Sequence, residues 1–323
     1  MGSRILSTTA GTNREAFTPL DWTLFVSIGL IWGSSFLLID IGLEAFKPGL
    51  ITWMRVGLGA TVLALVPNAR RRIKPFDRPR LIALSLVWVA IPFTLFPIAQ
   101  QYINSAVAGM LNGAMPIFAA VIATLMLQKL PHGAVLVGLM LGFVGVAAIS
   151  LSSGSGGSAE ALGVVLVLLA TASYGLAVNI AAPITQQYGS LAVNAQMLAY
   201  ATLWTTPLGV TGLLQSTFAW DSFLAIAVAG AVGTGLAFVI MGSLVSRVGS
   251  TRSSFITYML PVVALVLGVV FRNDRVTVIS LAGVVLVIGG ALLAARRETG
   301  RSPERHTTTE PGPGRTDADH LRR

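Results

Sequence analysis

The sequence predicts an all-α integral membrane protein with ten transmembrane helices in two inverted five-helix repeats. Three observations lead to this fold: a low charge content, ten long apolar runs, and a pattern that recurs 145 residues further along the chain. The 323-residue chain is 54% hydrophobic and only 11% charged, whereas a soluble domain carries about 25% charged residues. The chain therefore has too little polar surface to cover a water-soluble globule, and lipid is the solvent that it fits.

Each apolar run is close to the roughly 20 residues that a membrane-spanning helix needs. The runs cover residues 22–41, 49–67, 81–100, 105–127, 133–151, 161–180, 192–213, 222–244, 253–271 and 277–295. Helices are expected because backbone N–H and C=O groups in lipid must bond within their own segment. A β-barrel would alternate apolar and polar residues, and runs such as residues 163–170 do not.

The repeat relates residues 105–146 to residues 250–291. The matched pairs are Ser105 and Ser250, Pro116 and Pro261, Ala119 and Ala264, Leu136 and Leu281, Gly138 and Gly283, Leu141 and Leu286, and Gly145 and Gly290. Because five helices separate the copies, the second half enters the membrane in the opposite sense. An inverted repeat of this kind is an architecture typical of transporters.

The basic residues predict the orientation of the helices, since cytoplasmic loops are enriched in Lys and Arg. With both termini inside, 18 of the 22 basic residues fall on the cytoplasmic side. They are Arg4, Arg14, Arg70, Arg71, Arg72, Lys74, Arg78, Arg80, Lys129, Arg247, Arg252 and the seven arginines of the C-terminal tail. The net charge of +9 is therefore a topology signal, and no nucleic-acid partner is expected.

Changes in composition predict the domain organisation. Residues 1–20 form a polar cytoplasmic segment, residues 21–151 the first repeat and residues 161–295 the second. Residues 152–160 form a Gly/Ser-rich linker, which favours a flexible hinge. Residues 296–323 lack hydrophobic periodicity and are predicted to be a disordered cytoplasmic tail.

Several motifs together resemble one family. The run Trp32-Gly33-Ser34-Ser35-Phe36 is similar to the WGSSF motif of EamA-type transporters of the drug/metabolite transporter superfamily. Arg55 stands where that family often has an arginine. The stretches Gln101–Ala106 with Pro116, and Arg247–Ser254 with Tyr258–Pro261, are similar to the ends of the two family repeats.

The resemblance covers about residues 20–296 and implies ten helices that export or take up a small metabolite across the cytoplasmic membrane. We expect a secondary transporter working by alternating access on an amino-acid-like, amphipathic or drug-like solute, in the direction of export. The alternatives are a membrane scaffold or assembly protein without transport, and an integral membrane enzyme. An enzyme would need an acid–base or metal cluster at membrane depth.

Two charged residues fall inside predicted helices. Asp40 and Arg55 are costly in lipid, so each requires a partner or a task. Asp40 is an interfacial acid that reaches water, a binding group for a proton or a cation, or the partner of Arg55. Both lie on the same side of the membrane midplane, which makes a coupling or charge pair a testable hypothesis.

The two matched prolines predict a substrate site near the midplane. A proline inside a helix frees the carbonyl one turn earlier, which here belongs to Asn112 before Pro116 and to Thr257 before Pro261. Kinks that serve packing alone are the alternative. The other candidate cavity residues are Trp32, Ser35, Tyr174, Asn179 and Tyr258, although polar residues in membrane helices more often join one helix to another.

Composition also bears on cofactors and catalysis. Cysteine is absent, and the three histidines lie in a loop and in the tail. No metal site, cofactor or catalytic residue is therefore expected. The lipid bilayer and a small-molecule substrate are the expected partners, and a homodimer through the fifth and tenth helices is a further expectation.

Overall fold

The computed structural model describes residues 17–128, 133–153 and 157–295. Among these residues the secondary structure is helical, with no β-strand. Most of the predicted N-terminal segment, the centre of the Gly/Ser linker and the predicted disordered tail lie outside the described residues.

Within the described residues, the first half of the chain contains eight α-helices. These are α1 (Pro19–Gly33), α2 (Ser35–Leu43), α3 (Pro48–Ala64), α4 (Arg78–Leu84), α5 (Ile91–Ala99), α6 (Ser105–Asn112), α7 (Met115–Leu127) and α8 (Ala134–Ser153). A six-residue π-helical turn, Ser85–Ala90, joins α4 to α5. Short 3₁₀ turns at Pro67–Arg70 and Pro75–Asp77 lie between α3 and α4.

The second half has a similar order of elements. Its helices are α9 (Ser158–Tyr188), α10 (Ser190–Gln215), α11 (Trp220–Gly230), α12 (Ala237–Val248), α13 (Ser250–Ser254), α14 (Met259–Arg272) and α15 (Val278–Ala295). A π-helical turn, Ala231–Leu236, joins α11 to α12, and a 3₁₀ turn, Phe255–Tyr258, joins α13 to α14.

Seven helical segments within the described residues are long and apolar enough to cross a membrane. They are Pro19–Leu43, Pro75–Ala99, Ser105–Met126, Ala134–Ser152, Ser158–Tyr188, Trp220–Val248 and Arg252–Arg272. The remaining long helices, α3, α10 and α15, pack against these segments, but length and composition alone do not class them as spanning. The described residues thus form a multi-pass helical membrane bundle.

Helix ends follow local chemistry. Thr18 and Asp21 form a reciprocal capping box at the start of α1, where Pro19 occupies the first turn, and this satisfies backbone donors that the helix leaves free. Gln128 and Asn273 end α7 and α14 with φ angles of 52° and 55°. They are the two non-glycine residues with positive φ in the described part of the chain, and the 145-residue offset relates them.

We name the two ends of the bundle by their ion pairs. The near end holds the start of α1 and the end of α12, where Arg247 pairs with Asp21. The far end holds the end of α2 and the end of α14, where Arg272 pairs with Asp40 and Glu44. Buried apolar side chains form one large cluster that extends to the far end and two separate clusters nearer the near end.

The pair α8 and α15 packs especially closely. A Cβ atom added to Gly145 would lie 2.6 Å from the Gly283 carbonyl oxygen, and one added to Gly283 would lie 2.7 Å from the Gly145 carbonyl oxygen. Only glycine permits this approach of the two backbones. The helices α8 and α15 therefore pack on each other within one chain through these two glycines.

Candidate functional site

Three helices are interrupted near the middle of the bundle. The breaks lie at Ser34 between α1 and α2, at Gly113–Ala114 between α6 and α7, and at the 3₁₀ turn between α13 and α14. Irregular backbone at membrane depth is tolerated where it is buried in protein or lines a cavity. The interruptions therefore mark the centre of the bundle as the candidate site.

The matched prolines lie beside two of these breaks. Pro116 is in the first turn of α7, and Pro261 is in the first turn of α14. A proline in the first turn removes no helical hydrogen bond, because the first N–H groups of a helix have no helical acceptor. The prediction of kinks inside continuous helices is corrected to two breaks, with each proline in the segment that follows.

The two π-helical turns occupy corresponding places in the two halves. Ser85–Ala90 joins α4 to α5, and Ala231–Leu236 joins α11 to α12. Such turns occur frequently at functional sites because the extra residue disturbs the regular backbone ladder. In the second turn the hydroxyl of Thr234 donates to the carbonyl oxygen of Ala229 at 3.1 Å. The sequence pattern predicts neither turn.

Arg55 of α3 is the charged residue at the centre of the site, and its side chain has three contacts. Nε donates to the Thr234 hydroxyl at 3.2 Å, and Nη2 donates to the Ser35 hydroxyl at 3.3 Å. The guanidinium carbon lies 4.3 Å from the centroid of the Phe93 ring, which adds a cation–π attraction. Arg55 is only 8% exposed, so these contacts hold a cation inside the bundle.

The two hydroxyls that receive Arg55 are themselves oriented. Ser35 directs its proton to the Ile31 carbonyl oxygen at 3.4 Å, just as Thr234 directs its own to Ala229. Because each hydroxyl donates its proton to a backbone carbonyl, its oxygen lone pairs can accept hydrogen bonds from the guanidinium. The interrupted helix at Ser35 and the π-turn at Thr234 thus aim two acceptors at one cation.

No acidic side chain of the described residues forms an ion pair with Arg55. A charged residue at the centre of a membrane helix costs about 2.5–3.5 kcal/mol on insertion scales. Two neutral hydroxyls and an aromatic ring offset part of this cost without neutralising the charge. An uncompensated buried cation is therefore the most unusual feature of the site.

Asp40 has a different partner from the one that the sequence allowed. The Nε of Arg272 donates to an Asp40 carboxylate oxygen, and its Nη1 donates to Glu44 at 2.6 Å. Arg272 stands at the end of α14, just beyond the predicted apolar run of residues 253–271. The predicted Asp40–Arg55 charge pair does not form in the structure, because Arg272 reaches Asp40 at the far end while Arg55 contacts Ser35 and Thr234.

Aromatic side chains surround the centre. Trp32 packs edge-on against Phe238, with ring centroids 6.2 Å apart. Tyr174 stacks on Phe96 at 5.9 Å, and Phe96 meets Phe36 edge-on at 5.4 Å. Because Phe36 follows Ser35 in α2, this second group adjoins the Arg55 contacts.

The side chain of Asn112 is buried without a partner. Its residue is 7% exposed, and its Oδ1 has no hydrogen-bond donor within the described residues. Thr257, the matched residue of the other half, donates to the Ser254 carbonyl oxygen at 2.5 Å. The two predicted midplane residues therefore differ: the hydroxyl is satisfied by its own turn and the amide oxygen is not.

The other candidates have packing roles in this conformation. Asn179 donates to the carbonyl oxygens of Ala119 at 2.9 Å and Gly175 at 2.8 Å, so it joins α9 to α7. Tyr258 lies beside Phe255, with ring centroids 5.8 Å apart. The structure thus brings Ser35 and Arg55 together and leaves Asn179 and Tyr258 in helix contacts.

The interrupted helices cross each other on the far side of their breaks. A Cβ added to Gly113 would lie 2.5 Å from Pro261 Cγ, and one added to Gly268 would lie 3.0 Å from Ala106 Cβ. Asp274 continues this contact by accepting from the Ser105 hydroxyl at 2.8 Å and the Ala106 N–H at 3.0 Å. The segments α6 and α14 are therefore closely packed as far as the far end.

The near-end segments of the same helices have different neighbours. The helix α7 packs against α9, whereas α13 packs against α12. An open cavity of about 610 Å³ also lies at the near end, between the 3₁₀ turn Pro67–Arg70, the turn Tyr188–Ser190 and Gly242. Its lining does not include Arg55, so it is separate from the central site.

Thr234, Phe93 and Arg272 were not among the predicted partners of the charged residues. Thr234 carried a weak signal as a polar residue between two glycines in an apolar run. Phe93 carried none, because a phenylalanine in a membrane helix is unremarkable. Among the described residues there is also no cluster of three or more His, Cys, Asp or Glu side chains that could hold a metal ion.

Comparison with known proteins gives a consistent result. The chain matches the EamA-like transporter family at residues 22–151 and again at residues 161–296. An uncharacterized transporter of Archaeoglobus fulgidus is 21% identical, with coverage of 85% of this chain and 99% of the relative. The uncharacterized inner membrane transporter YedA of Escherichia coli K12 is 26% identical, with coverage of 86% and 94%.

Two further similarities bear on function and fold. A probable terminal-alkyne amino-acid exporter of Streptantibioticus cattleyicolor is 24% identical, with coverage of 88% of this chain and 96% of the relative. One crystal structure matches with a TM-score of 0.59 at 17% identity, covering 86% of this chain and 98% of that chain, which shows the shared fold alone.

The resemblance inferred from the sequence motifs is thus confirmed. Transporter-named relatives and seven apolar helices together identify a multi-pass membrane transporter. Because the family model matches most of its length, the chain belongs to the EamA-like transporter family.

Proposed function

We propose that this protein is a secondary transporter that exports a small amino-acid-like or amphipathic solute across the cytoplasmic membrane by alternating access. It would use ten helices in two inverted repeats, with both termini in the cytoplasm. The matched π-turns, the matched breaks and the matched helix ends at Gln128 and Asn273 support the repeat. The basic loops support a cytoplasmic near end.

One observation carries the proposal: within the described residues, the interrupted helices pack closely on each other toward one end of the bundle only. The segments α6 and α14 pack together toward the far end, while α7 and α13 pack against other helices toward the near end. In an inverted repeat these two arrangements are exchanged when the transporter changes state. The conformation described here is the inward-facing one under this proposal.

The solute class follows from the surroundings of the centre. Hydroxyls, an amide and one cation lie among Phe and Trp rings, which fits a small solute with both a polar and an apolar part. One relative is named as a probable amino-acid exporter, and this supports an amino-acid-like solute.

The test is flux from proteoliposomes that contain the purified full-length protein and a mixture of amino acids and related small metabolites. Mass spectrometry of the outside medium identifies any solute that leaves faster than from protein-free vesicles. Saturating efflux of at least one solute is expected. Absence of efflux for the whole mixture from a monodisperse, folded protein would contradict the proposal, and non-saturating efflux would indicate a channel.

A further inference from the structure

We propose that Arg55 is the binding site for a carboxylate group of the transported solute. The inference rests on the proposed function and names the substrate class of the same central site. It starts from a cation that the fold positions from several sides and leaves without an anion.

The guanidinium is oriented by its contacts and retains free donors. Thr234 takes the Nε proton, Ser35 takes one Nη2 proton, and the Phe93 ring covers one face. Nη1 makes no hydrogen bond within the described residues. The two terminal nitrogens therefore keep N–H groups for the two oxygens of a carboxylate, a geometry for which arginine is suited.

The acids of the described residues are all at the ends of helices or in loops. Asp21 pairs with Arg247, Asp40 and Glu44 pair with Arg272, and Asp77 accepts from Tyr188. Asp274 caps α6, and Glu160 and Asp221 lie in the first turns of α9 and α11. None of them neutralises Arg55 in this conformation, which leaves the anion to be supplied from outside the described fold.

A second donor lies in the same part of the bundle. Tyr174 packs against the apolar cluster that includes Phe93, the ring that covers Arg55, and its hydroxyl makes no hydrogen bond within the described residues. The phenol can donate to a carboxylate that the guanidinium holds. Its ring stacks on Phe96, beside Phe36, so an apolar surface adjoins the charge. The site fits a monocarboxylate with an apolar side group.

The experiment compares solutes that differ in one functional group. Proteoliposomes are loaded with leucine, leucinamide, isoamylamine and 4-methylpentanoate, and with the corresponding phenylalanine set. Efflux is followed by mass spectrometry for the wild type, Arg55→Gln and Arg55→Lys. The two solutes with a carboxylate should leave at least about tenfold faster than the amide and the amine, because charge-assisted bidentate pairs give strong selection.

The variants test whether Arg55 is the residue that gives the preference for carboxylates. Arg55→Gln should lower the rate of carboxylate efflux by about tenfold or more. Arg55→Lys should retain part of the rate, since lysine keeps the positive charge but lacks the paired donor nitrogens of the planar guanidinium. Arg275→Gln is the matched control, because it removes the same charge from an exposed loop residue. Thermal unfolding of each variant in detergent, with and without 4-methylpentanoate, gives a readout independent of transport. The solute should raise the wild-type unfolding temperature and leave that of Arg55→Gln unchanged.

The outcomes separate this inference from the proposed function. Efflux of leucinamide or isoamylamine as fast as leucine would overturn the carboxylate site while leaving a transporter. Unchanged carboxylate efflux by folded Arg55→Gln would overturn it as well. No efflux of any solute from the wild type, together with no thermal shift by any of them, would count against both.

Discussion

The two ends of the bundle use the same helices in different ways. At the far end α6 and α14 are in contact through small residues, and Arg272 joins α14 to two acids of α2 and the residues after it. At the near end α7 and α13 pack against separate neighbours. Close helix contact through glycine and alanine is reversible in lipid, because it depends on van der Waals packing and few polar bonds. A difference of this kind between the two ends is therefore what a transporter needs in order to change conformation.

The largest effect is expected from locking the far end. The chain has no cysteine, so Ala106→Cys with Gly268→Cys introduces one pair, at a position where a Cβ on residue 268 would lie 3.0 Å from Ala106 Cβ. A small adjustment of the helices brings this to the roughly 3.5–4.5 Å of a disulfide. Oxidation should reduce efflux from proteoliposomes to the protein-free background, and reduction should restore it. The near-end pair Ala119→Cys with Ser254→Cys corresponds under the repeat to Ala264 and Gly109, which form a second close contact at the far end. It should cross-link slowly in the inward-facing state, and equal cross-linking at both ends would contradict the comparison.

The ion pairs of the two ends should differ in their contribution to stability. Asp21 is fully buried and receives Arg247 at 2.5 Å, whereas Asp40 and Glu44 are 20% and 50% exposed. Arg247→Ala removes the ion pair from a fully buried carboxylate that Thr18 continues to cap, and should cost about 2–3 kcal/mol. Arg272→Ala should cost about 1 kcal/mol, because water can solvate the two acids. Denaturant unfolding in detergent measures both, and a larger loss for Arg272→Ala would contradict this order.

The same far-end arginine should bias the conformational equilibrium. Arg272→Gln removes the charge that holds α14 to α2 and should shift the population away from the closed far end by roughly fivefold, equivalent to about 1 kcal/mol. A cysteine introduced at Leu111, which is buried in this conformation, reports opening through its alkylation rate by a membrane-impermeant reagent from the far side. Arg275→Gln is the control, and an unchanged alkylation rate in Arg272→Gln would show that the Arg272 ion pairs do not hold the far end closed.

The smallest effect compares the two matched midplane residues. Asn112→Leu removes a buried amide whose oxygen has no donor, so the fold should be unchanged or stabilised by about 1 kcal/mol. The same change should raise the KM for efflux by about fivefold if the amide contacts solute. Thr257→Val should change KM by less than about twofold, since its hydroxyl is satisfied by Ser254. An equal KM for efflux in the two variants would contradict a contact between Asn112 and the solute.

Much of the fold could be predicted because lipid restricts the possible structures. Long apolar runs give helices, prolines and glycines mark their breaks, and these are local properties of a sequence. The partner of Asp40 could not be predicted in this way. Arg55 lies inside a predicted apolar run and Arg272 just beyond one, and choosing between them as the partner of Asp40 required knowing which helix end lies beside α2.

The central site could likewise be predicted only in part from local sequence. Arg55 and Ser35 were identified as candidates because a charge and a hydroxyl in an apolar run are unusual. Their joint role depends on Thr234 and Phe93, which are far away in sequence and ordinary in composition. The π-turn that presents Thr234 is a backbone irregularity with no distinct residue signature.

By itself, the sequence determined a helical membrane protein, the repeated pattern and the family, because burial in lipid and motif order depend on the kinds of residues and their spacing. The tertiary structure decided which charges meet, which end of the bundle is closed and where a cation is left without an anion. Those features depend on distances of a few ångströms between residues more than a hundred positions apart in the chain, and no local pattern encodes such distances.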